Sequence, residues 1–226
     1  MKQIAFYTLL LFSGLSLTGC FEILEEVQLA SDGTGDLKVT VNLSQSKSTL
    51  ANYLKMGEYE GYEIPSVAEL EKEIIRVRDV LRSVNGMSQV EVKSNFTDFI
   101  FEIKGRFSNV QVLNVAINEV AKALNPSPFD PLELDNFDYT GKSFRRYFNY
   151  PLSLLDFDDI PSIYQYMLDT GKMTSIYRFD RDIRACTNTN AQISPNKQSV
   201  MLETTIGAMI RGERTIANSV ILYPKP

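Results

Sequence analysis

The sequence predicts an α+β fold: an antiparallel sheet with two or three helices packed on one face. Three observations lead there. Residues 37–43 alternate, with Leu37, Val39, Val41 and Leu43 on one side of a strand and Lys38, Thr40 and Asn42 on the other. Two later stretches carry apolar residues at helical spacing, first Val67, Leu70, Ile74, Val77, Leu81 and Val84, then Val110, Leu113, Ile117, Val120 and Leu124. A pair of strand-like segments lies before each stripe, so the chain opens as two loosely similar β-β-α units without a residue-level repeat.

Taken in order, residues 21–30 are β-compatible and end on Val27 and Leu29. Ser31-Asp32-Gly33-Thr34-Gly35 is a turn signal, because Asp and Gly tolerate positive φ. These residues and the alternating strand make an opening hairpin. The glycines do not form a phosphate loop, which needs Gly-x-x-x-x-Gly-Lys ahead of a helix. Residues 44–56 read as a short helix with Leu50, Tyr53 and Leu54 inward, and residues 57–65 as a loop. Ser66-Val67-Ala68-Glu69 fits a capping box, and Asn85-Gly86 supplies the stop. The stripe between them spans fewer than three heptads, which suits packing on a sheet better than a coiled coil.

Residues 89–93 and 98–104 read as strands joined by a turn at 94–97, with Phe99, Phe101 and Ile103 on one face. Ser108 or Asn109 caps the second striped helix, which ends at Asn125-Pro126. Pro126, Pro128 and Pro131 then break the chain, and residues 132–139 suggest a strand. Tyr147, Phe148 and Tyr150 cluster. Residues 160–169 read as a short helix before Gly171, and Met173, Ser175, Tyr177 and Phe179 mark a strand with apolar residues on both faces. Residues 200–205 and 216–222 close the sheet, the former entered through the turn Ser194-Pro195-Asn196-Lys197.

The N-terminus carries the sharpest motif. Lys2 is followed by a run from residue 4 to 17 without a charge, the layout of a secretory signal and too short for a permanent membrane span. Leu17-Thr18-Gly19-Cys20 resembles the lipobox of bacterial lipoproteins. That resemblance implies cleavage before Cys20, a diacylglyceryl group on its thiol, and acylation of the new amino group. Two or three chains give lasting attachment where one binds only marginally. Phe21 stands where an Asp would resemble the signal for inner-membrane retention, so outer membrane is the implied address. The Asp32-Gly33-Thr34-Gly35 hairpin and the segment Asn190-Ala191-Gln192-Ile193-Ser194-Pro195-Asn196-Lys197-Gln198-Ser199-Val200 add a resemblance to uncharacterised envelope lipoproteins of Gram-negative bacteria. It covers about a tenth of the chain and implies relatedness without an activity. The expected organisation is a signal peptide at 1–19, a lipid-anchored ββαββα region at 20–125, and a mixed, strand-rich region at 126–226 in the same globular unit.

Composition narrows the chemistry. The chain has 23 basic and 28 acidic residues, net −5; removing residues 1–19 takes one Lys and no acid, giving −6. An acidic domain has no electrostatic footprint for nucleic acid, and membrane affinity must come from acyl chains. With 11 Tyr and 13 Phe the chain has the means to build a core. There is no His, which removes Ser-His-Asp and Cys-His catalysis and the common catalytic zinc sites. With Cys20 committed to lipid, Cys186 has no disulfide partner and reads as a small buried hydrophobe.

Three constellations remain. Asp130, Glu133, Asp135 and Asp138, and Asp156, Asp158 and Asp159, lack the ligand alternation and central Gly of an EF-hand and read as solvated loop acid. Arg145-Arg146 among aromatics reads as an edge strand with snorkelling arginines. Tyr53, Tyr59, Tyr62, Tyr164, Tyr166 and Tyr177 could line a groove. The expectation is a non-catalytic binding or structural module held at a membrane through lipid on Cys20, with an envelope protein or lipid as partner and neither metal nor cofactor. The alternatives are a lipid carrier and a carboxylate-dependent hydrolase of envelope glycans or lipids. A deep apolar cavity between helices and sheet would favour the carrier, and two facing carboxylates in a cleft the hydrolase.

Overall fold

The computed structural model describes residues 21–59, 62–124, 135–148 and 162–224. The leader, Cys20, the Asn125-Pro126 stop, the prolines at 126, 128 and 131, Tyr150 and the acidic residues 130, 133, 156, 158 and 159 lie outside them.

Strands β1 (Glu22–Leu29) and β2 (Gly35–Asn42) form the opening hairpin. Its turn is fixed by Asp32, which accepts from the Thr34 amide at 3.0 Å and hydroxyl at 2.7 Å, while Gly33 takes φ +88°. A single 3-10 turn leads into α1 (Lys47–Met56), and a two-residue ribbon, β3 (Glu58–Tyr59) with β4 (Tyr62–Glu63), occupies the stretch expected as plain loop. Helix α2 (Val67–Ser83) starts on the complete capping box of Ser66 and Glu69. Strands β5 (Met87–Asn95) and β6 (Ile100–Phe107) follow, then α3 (Val110–Leu124), where Asn109 Oδ1 caps the Val112 amide at 3.0 Å. Asp98 and Phe99, expected in β6, belong to its turn, and Phe99 adopts φ +54°.

The remaining elements are β7 (Phe137–Tyr139), β8 (Ser143–Arg146), α4 (Ser162–Thr170), β9 (Lys172–Phe179), β10 (Ile183–Cys186), β11 (Gln192–Ile193), β12 (Ser199–Thr205), α5 (Ile206–Ile210) and β13 (Asn218–Leu222). Seven strands form one sheet in the order β11-β12-β9-β1-β2-β6-β5, and four form a second in the order β10-β13-β8-β7. The fold is α+β and mostly antiparallel. The departure lies at the centre of the large sheet, where β1 and β9 run parallel with Glu22 opposite Lys172 and Leu29 opposite Phe179. Parallel neighbours need a long crossover, and here it consists of everything from β2 to α4.

Each face of the large sheet has its own chemistry. One bears cross-strand ion pairs: Lys38 to Glu102 at 3.1 Å, Arg178 to Glu26 at 2.8 Å, Lys104 to Glu91 at 3.0 Å. The other is apolar and covered twice. Over β5 and β6 lie α2 and α3, where Val77, Leu81, Val90 and Ala116 form a buried cluster. Over β1 and β9 lies the small sheet, whose Phe144 packs on Tyr177 at 5.0 Å and Phe179 at 5.5 Å between ring centres. Helices on one face were expected; the small sheet sharing that face was not.

The small sheet is locked on by polar groups. Arg146 lies 6% exposed and reaches Glu25 of β1 at 3.0 and 3.3 Å, while Tyr177 donates to the same carboxylate at 2.7 Å. The guanidinium also covers the Phe137 ring at 4.6 Å and donates to the Tyr147 carbonyl at 2.8 Å. Arg146 therefore does not snorkel. Its neighbour Arg145 does remain exposed, over the Tyr147 ring at 5.4 Å. Burial and the adjoining Glu25 charge push the Tyr177 hydroxyl well above its ordinary pKa. Cys186 is only partly buried, which pushes its thiol up.

Candidate functional site

Helix α1 carries Leu50, Tyr53 and Leu54 on one side, as its spacing dictates, yet none of its residues is buried. In α2 the stripe is continuous in sequence, but only Val77 and Leu81, in its C-terminal half, are buried. Both facts have one cause. Between α1, the start of α2, the end of α3 and the strands β5 and β6 lies a cavity of about 410 Å³. Leu50, Tyr53 and Leu54 form its roof, Leu70, Ile74 and Val77 one wall, and Val92, Phe96, Phe99, Phe101 and Ile103 its floor.

The wall is almost free of polar groups. Glu73 is the one carboxylate among the described lining residues, and it pairs with Arg76 on the same helix at 3.5 Å. Lys47, at the start of α1, bonds Asp98 in the β5–β6 turn at 2.8 Å and so ties the roof to the floor. That bond, with a second from Asn95, holds the Asp98 carboxyl below its usual range. Leu124, the last residue of α3, lines the cavity and is 53% exposed, so the cavity opens beside it.

Magnitudes decide what such a space suits. At about 24 cal/mol per Å³, a closed empty void of this volume would cost about 10 kcal/mol, comparable to the whole stability of a domain. Water relieves little of this, because it needs two to four polar partners and the wall offers almost none. An apolar guest does. At roughly 30 Å³ per methylene-sized group the space holds about a dozen carbons, and at about 0.8 kcal/mol each their burial contributes about 10 kcal/mol before ordering costs. The volume falls within the usual range for small-molecule sites, about 300–1,000 Å³.

The residues singled out in the sequence divide around this site. Tyr53 lines the cavity with its ring edge-on to Tyr59 at 5.0 Å. Tyr177 sits instead in the core, Tyr166 is on the surface, and the side chains of Tyr62 and Tyr164 lie outside the described set. Among the described tyrosines, Tyr53, Tyr166 and Tyr177 do not share a groove. Asp135 and Asp138 lie at the surface or partly so, and no group of three or more His, Cys, Asp or Glu stands together among the described residues. A second, polar groove of about 620 Å³ is lined by Lys172, Asn190, Glu203, Thr205 and Arg214, and in it Arg214 donates to Asn190. The sequence did not reveal the apolar cavity directly. Its trace was an excess of apolar residues, since Leu50, Leu54, Leu70, Ile74, Phe96 and Phe101 exceed what two helices need against one strand pair.

No protein-family model matches the chain, and no curated protein matches it. Among solved structures, the NMR structure of the folded domain of LppM from Mycobacterium tuberculosis aligns over 92% of this chain and 93% of that one, at 9% identity and a TM-score of 0.41. A likeness of that degree carries no argument about activity.

Proposed function

We propose that this protein is a non-catalytic lipid-binding module of the cell envelope, anchored through lipid on Cys20 and holding an acyl chain in the cavity under α1. The observation that carries this reading is the cavity itself: roofed and floored by aliphatic and aromatic side chains, open at Leu124, and large enough for about a dozen carbons. The lipobox supplies the membrane address, and Phe21 after Cys20 favours the outer membrane. In this reading the acyl groups on Cys20 are the attachment; no helix among the described residues is long and apolar enough to cross a membrane. Among the described residues, Glu73 is the one carboxylate that lines the cavity, so the lining gives the hydrolase reading no facing pair to rest on.

The test is purification of the lipidated protein from its own membrane with mass spectrometry of the lipid retained. Wild type should keep close to one acyl lipid per chain. Ile103→Trp, which fills the floor with an indole, should keep at least fivefold less while unfolding at the same or higher urea concentration. Equal retention by both would remove the cavity from the function. The same spectra test the anchor: wild type should carry acyl mass that Cys20→Ala lacks, and a wild-type mature chain without it would sink the lipoprotein reading.

A further inference from the structure

The cavity opens at the end of the large sheet where the chain enters it. Strand register fixes this. Glu22, the first residue of β1, stands opposite Asn42; Asn42 stands opposite Ile100, and Ile100 opposite Asn95. On its other side Glu22 faces Lys172. These five residues form one row across the end of the sheet. Leu43, Phe96 and Phe99, which line the cavity, lie just beyond it.

The helices agree with this placement. Helix α2 finishes beside Met87 and α3 starts after Phe107, and these two residues are paired at the far end of the sheet. The start of α2 and the end of α3 therefore come back to the Glu22 row. The Ile64 amide donates to the Gly57 carbonyl at 2.9 Å, which folds the end of α1 back beside the start of α2. Met56, Val67 and Leu124 thus flank one end of the molecule, at 58%, 38% and 53% exposure. Cys20 lies two positions before Glu22, and consecutive Cα atoms are only about 3.8 Å apart. An acyl group on Cys20 leaves this end almost no freedom to stand away from a bilayer.

We propose that this end of the molecule docks on the lipid surface that holds the anchor, with Met56, Val67 and Leu124 in contact with it, and that the cavity takes its acyl chain from a lipid of that leaflet. The inference rests on the acyl-chain reading of the cavity given above. Charge complementarity plays little part, since the chain is net acidic and the ion pairs nearest the mouth, Lys47 with Asp98 and Glu73 with Arg76, are neutralised internally. The apolar share of the contact comes from Met56, Val67 and Leu124, while exposed Glu58 and Glu63 beside them give an anionic surface nothing to attract.

The experiment uses the full lipidated protein reconstituted in vesicles of phosphatidylethanolamine and phosphatidylglycerol. A photoreactive side chain is placed by Leu124→p-benzoylphenylalanine. The control is Tyr223→p-benzoylphenylalanine: Tyr223 is 49% exposed and its amide is bonded to Asp182, beyond the far end of β9. Irradiation should add the mass of an intact phospholipid at position 124 at least tenfold more often than at 223, with little change in high salt. Equal yields, or more at 223, would overturn the docking orientation. So would a crosslink at 124 without added mass, because the protein's own acyl chain would then be filling the mouth. Lipid retained through purification but no adduct at 124 defeats this inference alone; absence of both defeats the cavity reading too.

Discussion

Glu25, Arg146 and Tyr177 come from three strands and meet in the core, and their value lies in their mutual satisfaction. Removing one partner from such a set strands a charge in a medium that solvates it poorly. Arg146→Ala should cost about 3–5 kcal/mol in urea unfolding, whereas the triple replacement Glu25→Met, Arg146→Met, Tyr177→Phe should recover most of that loss. Tyr177 also sets a response to alkali. Its folded pKa is raised, so its contribution is complete below the unfolded value near 10 and declines as pH rises above that. Between pH 10 and 12 wild type should lose stability more steeply than Tyr177→Phe, by up to about 1.4 kcal/mol per pH unit. Parallel stability curves for the two proteins would show that the hydroxyl does not ionise on unfolding in that range.

Among the elements, α3 and the small sheet share an apolar cluster, and Asn114 adds hydrogen bonds between them. Asn114 is buried on the helix, donates to the Phe137 carbonyl at 2.8 Å, and accepts from the Phe137 and Asn136 amides at 2.9 and 3.1 Å. Asn114→Ala leaves three backbone groups without that partner, so a loss of about 3 kcal/mol or more in the unfolding free energy from urea titration is expected. A loss under about 1 kcal/mol would mean that water replaces the amide. This residue was invisible in the sequence, where it merely interrupts an apolar stripe. What the sequence does reveal is local: the capping box at Ser66, the turn at Asp32, the alternation of β2 and the spacing in α2 and α3 each follow from neighbours in the chain. The pairing of β13 with β8 and β10, and the burial of Arg146 against Glu25, depend on partners more than 30 positions away. No periodicity reports such partners. The cavity lies between these extremes, because each lining stripe is legible but the gap left between them is not.

At the scale of the whole molecule, one face of the large sheet is salted with ion pairs and the other is shared by helices and a second sheet. The helical half encloses space and the sheet half is filled with rings. The pair β1–β9 joins them, and it has a consequence in time. Glu25 and Tyr177, which bond across that pair, are 152 positions apart in the chain. Until β9 is in place, β1 has one long edge open, and contacts of such separation are slow to close. An unpaired edge of that kind recruits other strands. Refolding should therefore be limited by closure of the β1–β9 pair, and until that pair closes β1 is the strand most exposed to wrong partners.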